Sequence, residues 1–358
     1  MRLTWLGLVL VAVGAQAPAP PYPPSPVIAR VEFDFSTHQR HAPGSDNWPT
    51  TWADDGHLYS AWGDGGGFGG TNSEGRVLLG VARIEGDAST YTGTNVWGGV
   101  APGRTAQFGG KSYGILSVNG VLYMWVVPQP NPHLDHARLA TSNDHGASWQ
   151  PADWAFTFAD ALTIPTFLNF GRNYADARDG YVYSYYIHPA WGPGRATKTP
   201  AHTFDVHQPG HVYLSRVPKD AILNQQRYEF FTGVSNTGQA SWTTDRSAKR
   251  PVFEDPNGVG WNLSVSYNPG LRRYLLATEH SDTHVGKLGL FDAPEPWGPW
   301  TTVAYDEAWG VPHIEASTFY WNFTPKWLSA DGTRFTMIFT GNRTNDAWNT
   351  VAGRFVRR

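Results

Sequence analysis

One stretch of sequence recurs five times along this chain, and that recurrence leaves few folds open to it. The copies are centred on residues 56–62, 120–125, 180–186, 271–277 and 332–338, each a turn leading into an aromatic and aliphatic strand. Their anchor aromatics, Tyr59, Tyr123, Tyr183, Tyr274 and Phe335, lie 64, 60, 91 and 61 residues apart. Strand-built units at such a spacing predict an all-β fold, a five-bladed β-propeller of four-stranded antiparallel blades. In the first unit the strands are expected over residues 48–53, 57–62, 76–84 and 91–97. Third strands echo one another at 79–83, 138–142, 212–216, 288–292 and 351–356, and the long third interval accommodates a Gly-, Pro- and His-rich insertion at 189–209. Seven blades would need two further copies, which the sequence does not contain.

Residues 1–17 read as an export signal: Arg2 supplies the charge, 6–13 the short apolar stretch, and Ala15-Gln-Ala17 the small-residue cleavage pattern. Residues 18–26 form a Pro-rich lead-in, and 27–358 are expected to make a single propeller domain. The expected product is a secreted or periplasmic monomer with no membrane insertion, since no later segment approaches the ~18 consecutive apolar residues of a spanning helix. Cysteine is absent, which removes thiolate chemistry and cysteine-based zinc sites. A net charge of −3 without a basic stripe argues against nucleic acid. Seventeen Trp, 16 Tyr and 39 Gly suit short strands joined by tight turns. Aromatics in excess also suit a polysaccharide or oligosaccharide partner, because the C–H face of a sugar stacks on a ring.

In a propeller the first strands start at one face, and the loops from second to third strands return to it. That register brings to one mouth Ser45 to Trp48, Lys111 to Tyr113, 165–167, 254–257 with Trp261 and Asn262, and 320–322. From the return loops come Trp62 to Asp64, 186–188, Glu279 with His280, and 342–343. Hydrolysis of a glycosidic bond takes two carboxyl groups, one to protonate the leaving oxygen and one as nucleophile or base. The candidates are Asp46 or Asp64 as base or nucleophile, with Glu279 or Asp255 as acid. Asp64 opens Asp-Gly-Gly-Gly, read as flexible backbone that a substrate can approach closely. Asn47, Trp48, Trp62, Lys111, Tyr113, Trp261, Asn262, Trp321, Asn322 and Arg343 are the substrate-binding candidates. A polysaccharide lyase would instead take a proton with His188, His280 or Tyr113 and neutralise a uronate carboxylate with Lys111 or Arg343. A non-catalytic carbohydrate-binding propeller is the third alternative. None of these requires a cofactor. A structural calcium fits a propeller channel, and His133, Asp135 and His136 have a ligand-like spacing for which a solvated loop is the simpler account.

Several runs carry a family likeness. Residues 44–64, with Gly110-Lys-Ser-Tyr-Gly-Ile115, Phe253-Glu-Asp-Pro-Asn-Gly-Val-Gly-Trp-Asn262 and Trp321-Asn-Phe-Thr-Pro-Lys-Trp327, resemble a family of secreted bacterial and fungal proteins long catalogued as a domain of unknown function. Some relatives of that family look like endo-D-arabinanases, which implies hydrolysis of arabinofuranosyl polymers. Ala293-Pro-Glu-Pro-Trp-Gly-Pro-Trp300 is similar to the Gly-Pro-Trp turn of five-bladed arabinanase-type hydrolases. Other propellers with comparable aromatic blades are lyases acting on ulvan or on rhamnose-glucuronate linkages. Ser142-Asn-Asp-His-Gly-Ala-Ser-Trp149 resembles the Asp box of sialidase-like propellers, a hairpin fastener that lies away from the chemistry. The resemblance implies carbohydrate cleavage without choosing the bond.

Overall fold

The structure is a computed structural model that describes residues 17–100, 106–128, 136–187, 205–314, 318–341 and 346–358. Residues 1–16 of the expected export signal, with His133, Asp135, His188 and Arg343, lie outside the described residues. Regular structure among the described residues is β-strand with a few short 3-10 turns, and no helix is long and apolar enough to cross a membrane.

After β1 (Ile28–His41), strands β2 (Thr50–Trp52), β3 (Leu58–Trp62), β4 (Gly80–Glu85) and β5 (Thr92–Trp97) pair in sequence order as one antiparallel sheet. β6 (Gly110–Val118), β7 (Val121–Pro128) and β8 (His136–Ser142) make the next, with the two-residue β9 (Gln150–Pro151) and β10 (Phe156–Thr157) both paired to β8. β11 (Thr163–Asn169), β12 (Tyr181–Ile187) and β13 (Gly210–Pro218) repeat the pattern. There β13 carries both the pair β14 (Glu229–Val234) and β15 (Ala240–Thr243) and the strand β16 (Pro251–Asp255). β17 (Leu263–Asn268), β18 (Arg273–Glu279), β19 (Leu288–Ala293) and β20 (Thr301–Tyr305) form a fourth antiparallel group. The last is β21 (Thr318–Leu328), β22 (Arg334–Gly341) and β23 (Trp348–Arg357). All five anchor aromatics fall on the second strand of their group. Strict four-strand regularity is broken in the second and third groups, where extra short strands share the third strand's edge.

The first strands face one another. β2 packs on β6, β6 on β11, β11 on β17, β17 on β21, and β21 back on β2. β11 and β17 also pair in parallel, Leu168 opposite Val265. Burial follows position: every residue of β6 and of β18 is buried, whereas β1 alternates between covered and exposed positions. A strand covered on both faces favours small and apolar side chains, and the charged exceptions, Lys111, Arg273 and Glu279, sit at or near strand ends with ion-pair or hydrogen-bond partners. Gly114 shows how tight the centre is, because a Cβ there would stand 2.9 Å from the Thr166 Cα on β11. Register slips interrupt β6 between Lys111 and Gly114, β11 between Thr163 and Thr166, and β21 between Phe319 and Asn322. Bulges at matching places in three first strands re-aim side chains toward the shared centre.

The fifth group is completed from the other end of the chain. β1 pairs antiparallel with β23 from Ile28 opposite Arg357 to His41 opposite Trp348. Ahead of β1, the Pro-rich segment runs along β20: Thr302 N–H donates to Pro23 O and Ser25 N–H to Thr302 O, each at about 2.9 Å. Tyr22 packs between Phe253 and Phe291, and Ser25 Oγ donates to Asp292, which is ion-paired in the core with Arg273 at 2.6 Å. The N-terminal segment therefore staples the fourth group to the fifth.

Candidate active site

The densest group of charges lies where β2 is about to begin and β3 has just ended. Asp46 and Gly63 exchange backbone hydrogen bonds, 2.8 Å each way, which sets Asp46 beside the residue before Asp64. Asn47 and Asp64 both adopt left-handed backbone, φ 52° and 53°, a conformation that short Asx side chains tolerate. Lys111, in the second position of β6, serves both carboxylates: its Nζ is 2.7 Å from Asp64 Oδ1 and 3.8 Å from Asp46 Oδ1. Arg76 flanks Asp64 from the other side at 3.1 Å. Asp346, just ahead of β23, joins through its carbonyl, which accepts Gly44 N–H at 2.6 Å. Glycine at position 63 leaves both side chains in place, since a Cβ would meet Asp46 Oδ1 at 2.5 Å and Lys111 Nζ at 2.7 Å and displace them.

Burial and these neighbours act strongly on Asp46. Burial drives Asp46 up to about 7; Lys111 pulls the other way, and the charges of Asp64 and Asp346 add to the rise. Asp346 is pushed to about 6 by burial and by Asp64, against Lys111 and Arg76. Asp64 is the more open of the pair, with 30% of its side chain exposed against 12% for Asp46, and it stands between two cations. Nearby, Asn262 Nδ2 donates to Asn47 Oδ1 at 3.1 Å, leaving Asn47 Nδ2 and Asn262 Oδ1 without hydrogen bonds. Asp46 Oδ1 and the Tyr113 hydroxyl are also buried without one. Buried polar atoms are nearly always satisfied, so four unused donors and acceptors from three sheets suit water or the polar groups of a ligand.

The other candidates are placed differently. Glu279, at the end of β18, is fully buried, with Oε1 accepting His284 N–H at 2.7 Å and Oε2 2.9 Å from Thr283 Oγ1. Burial raises its carboxyl to about 8. Asp255 lies on β16 and not at the start of a first strand; it accepts from Tyr305 OH at 2.9 Å and Asn257 N–H at 2.8 Å, and burial lifts it to about 6. His280 stacks on Tyr305 at 3.7 Å, with Nε2 3.0 Å from Asp306 O and Nδ1 3.0 Å from Ser281 Oγ; burial lowers it to about 4. Trp48 stacks on Trp62 at 5.7 Å and meets Trp348 edge-on at 5.3 Å, while Trp321 lies against Trp309 at 6.0 Å. Three of the four candidate tryptophans, Trp48, Trp62 and Trp321, are buried, so they support the site from behind and offer no face to a sugar. Asn322 donates to Thr50 Oγ1 at 3.2 Å and ties β21 to β2. Trp261, also buried, meets Tyr113 edge-on at 5.8 Å.

The glycine run after Asp64 is packed, and flexibility does not explain it. Ser45 Oγ accepts Gly67 N–H at 3.0 Å, and Asn95 Oδ1 accepts Phe68 N–H at 2.9 Å while its Nδ2 donates to Gly66 O at 2.9 Å. A Cβ on Gly66 would collide with the Glu74 carbonyl, so these glycines are there for close backbone approach. Arg76, Asn95 and Asp346 were missed in the sequence. The strand expected over 76–84 begins at Gly80, so Arg76 precedes it, and Asp346 lies just ahead of β23. A separate group with ligand-like spacing joins Asp54 and Asp55 of the β2–β3 turn to His145 between β8 and β9. Its members already serve one another and their neighbours, His145 Nε2 lying 2.9 Å from Asp54 and Asp55 accepting from Tyr59 OH at 2.7 Å.

The all-β arrangement of sheets about a common centre is shared with solved structures of hydrolases. The RS223 β-xylosidase superposes with a TM-score of 0.50 at 13% identity, covering 88% of this chain and 94% of that one. A provisionally assigned hydrolase from Bacteroides ovatus ATCC 8483 gives 0.50 at 13% identity over 86% and 85% of the two chains. At such identity the likeness is one of fold. The chain belongs to the family of the domain of unknown function DUF4185, whose model matches residues 99–320. That span includes Lys111, Tyr113 and Glu279, whereas Asp46 and Asp64 precede it. No curated protein matches the sequence.

Proposed function

We propose that the protein is an exported glycoside hydrolase, a five-bladed β-propeller that cleaves a polysaccharide with Asp46 and Asp64 as its two carboxyl groups. The observation that carries this reading is the shared ammonium of Lys111, 2.7 Å from one carboxylate and 3.8 Å from the other. A carboxyl that its surroundings keep protonated near neutral pH suits the role of acid. Asp46, raised to about 7, is the proton donor, and Asp64, more open and beside Lys111 and Arg76, is the nucleophile. A single ammonium touching both favours the close spacing of a retaining pair, about 5–5.5 Å, over the roughly 6.5–9.5 Å of an inverting one. In that course Asp46 gives its proton to the glycosidic oxygen as Asp64 attacks the anomeric carbon and the C–O bond breaks. Water, deprotonated by Asp46, then cleaves the glycosyl ester. The closed circuit of first strands supports five blades, and the β-xylosidase likeness supports carbohydrate as substrate. Residues 1–17 support export.

Elimination is the weaker reading. His280 has both ring nitrogens engaged, and Lys111 is committed to two carboxylates, which leaves neither free for a uronate. The test is incubation with arabinan, xylan, arabinoxylan and ulvan. New reducing ends without an ultraviolet-absorbing unsaturated product are expected. Asp46→Asn and Asp64→Asn should each lower kcat by on the order of 10²–10⁴, and near-normal turnover in both would sink the assignment. Unsaturated product would select the lyase, and no product from any polymer would favour a binding propeller.

A further inference from the structure

Glu279 is a buried carboxyl that the proposed chemistry leaves unused, and its surroundings form a continuous chain back to the site. Its two oxygens engage the turn between β18 and β19 at Thr283 Oγ1 and His284 N–H, 2.9 and 2.7 Å away. The same Thr283 hydroxyl accepts the indole N–H of Trp261 at 3.0 Å and lies 2.8 Å from His284 Nδ1. His284 then stacks on Trp261 at 5.6 Å, nearly parallel, and contacts Phe319 at 4.1 Å. Trp261 in turn meets Tyr113 edge-on at 5.8 Å, and Tyr113 lies two residues from Lys111 on β6. Gly260 permits the arrangement, because a Cβ there would press on the Glu279 Cβ at 2.8 Å.

We infer that Glu279 is a positioning residue: it fastens the β18–β19 turn against Trp261, which holds Tyr113 and β6 beneath the Asp46–Asp64 pair. The inference rests on the hydrolase reading of that pair. Glu279 Oε2 accepts the Thr283 hydroxyl and Oε1 accepts His284 N–H, while Thr283 Oγ1 accepts the Trp261 indole N–H and lies within hydrogen-bond distance of His284 Nδ1. Burial raises the Glu279 carboxyl to about 8. Glutamine keeps these contacts, its Oε1 accepting His284 N–H and its Nε2–H donating to Thr283 Oγ1, whose own proton then turns to His284 Nδ1. Alanine abolishes them.

The direct measurement is the Trp261 indole N–H resonance in a two-dimensional NMR spectrum of the full chain, identified by its loss in Trp261→Phe. Glu279→Ala should move that resonance and speed its exchange with solvent, and Glu279→Gln should restore the wild-type position. On whichever polymer the wild type cleaves, Glu279→Ala should lose on the order of 100-fold in kcat/KM, the scale of a small misplacement of reacting groups. Glu279→Gln should recover to within about threefold, the scale of one altered hydrogen bond. If Glu279→Ala does not fold, Thr283→Val removes the shared hydroxyl at nearly constant volume and should shift the same resonance. An unmoved Trp261 signal in these variants overturns the inference. So does a Glu279→Gln enzyme as inactive as Asp64→Asn with Trp261 undisturbed, since Glu279 would then be the proton donor. Failure of the hydrolase reading itself would appear separately, as an active Asp64→Asn, while the resonance still decides the positioning role.

Discussion

At the scale of single residues, Asp46 shows how a site is tuned by groups far apart in sequence. Its own burial is the largest influence, but Asp346, from the last return loop, adds a like charge to the same neighbourhood. If Asp46 is the acid, activity is highest while it holds its proton and falls as pH rises through about 7. Asp346→Asn removes one charge that keeps the proton on, so the falling limb should move to lower pH. An unshifted limb measured across the pH range would remove Asp346 from the site. Asp46, Asp64 and Lys111 were all legible in the sequence, because the repeat register pointed to their positions. Their mutual roles were not, because pairing Asp46 with a carboxyl from another blade assumed that partners face each other across the channel. The backbone bridge between Asp46 and Gly63 makes neighbours of two residues of one repeat. Glu279 and Asp255 were chosen for the same register and are instead sealed in by their own hydrogen-bond partners.

Elements were read well as strands and poorly as loops. The second-strand anchors and third-strand echoes coincide with real strands, since the period of 2 and the β-branched and aromatic content are local properties. The glycine run after Asp64 misled, because permissive backbone and crowded backbone look identical in sequence. Asn95, on β5, is the fastener of that loop. Asn95→Ala should lower stability by about 1–3 kcal/mol, the cost of stranding buried backbone groups, and should weaken cleavage by releasing the segment that carries Asp64. Chemical denaturation together with steady-state kinetics checks both parts, and an unaffected loop would return the glycines to a flexible role.

Across the whole molecule, the buried acids make a prediction about stability. Asp46 and Glu279 are raised to about 7 and about 8 in the folded chain, from ordinary values of 3.8 and 4.5. Between those limits the folded state holds protons that the unfolded state has released, so folding stability falls as pH rises. His280, lowered to about 4 from 6.5, acts in the opposite sense, but only below pH 6.5. Melting temperature should therefore fall as pH is raised from 6.5 to 8, and a rising or flat profile in calorimetry over that window would count against the buried, neutral state of these acids. By itself the sequence determined the strand-rich class and the positions of the anchor strands, because hydrophobic period and turn chemistry act over a few residues. Only the tertiary structure decided that β1 completes the last sheet, that the candidate tryptophans face inward, and that Lys111 joins Asp46 to Asp64. Those outcomes depend on which distant segments pack together and how much water they exclude, and neither burial nor desolvation is a property of any local stretch of chain.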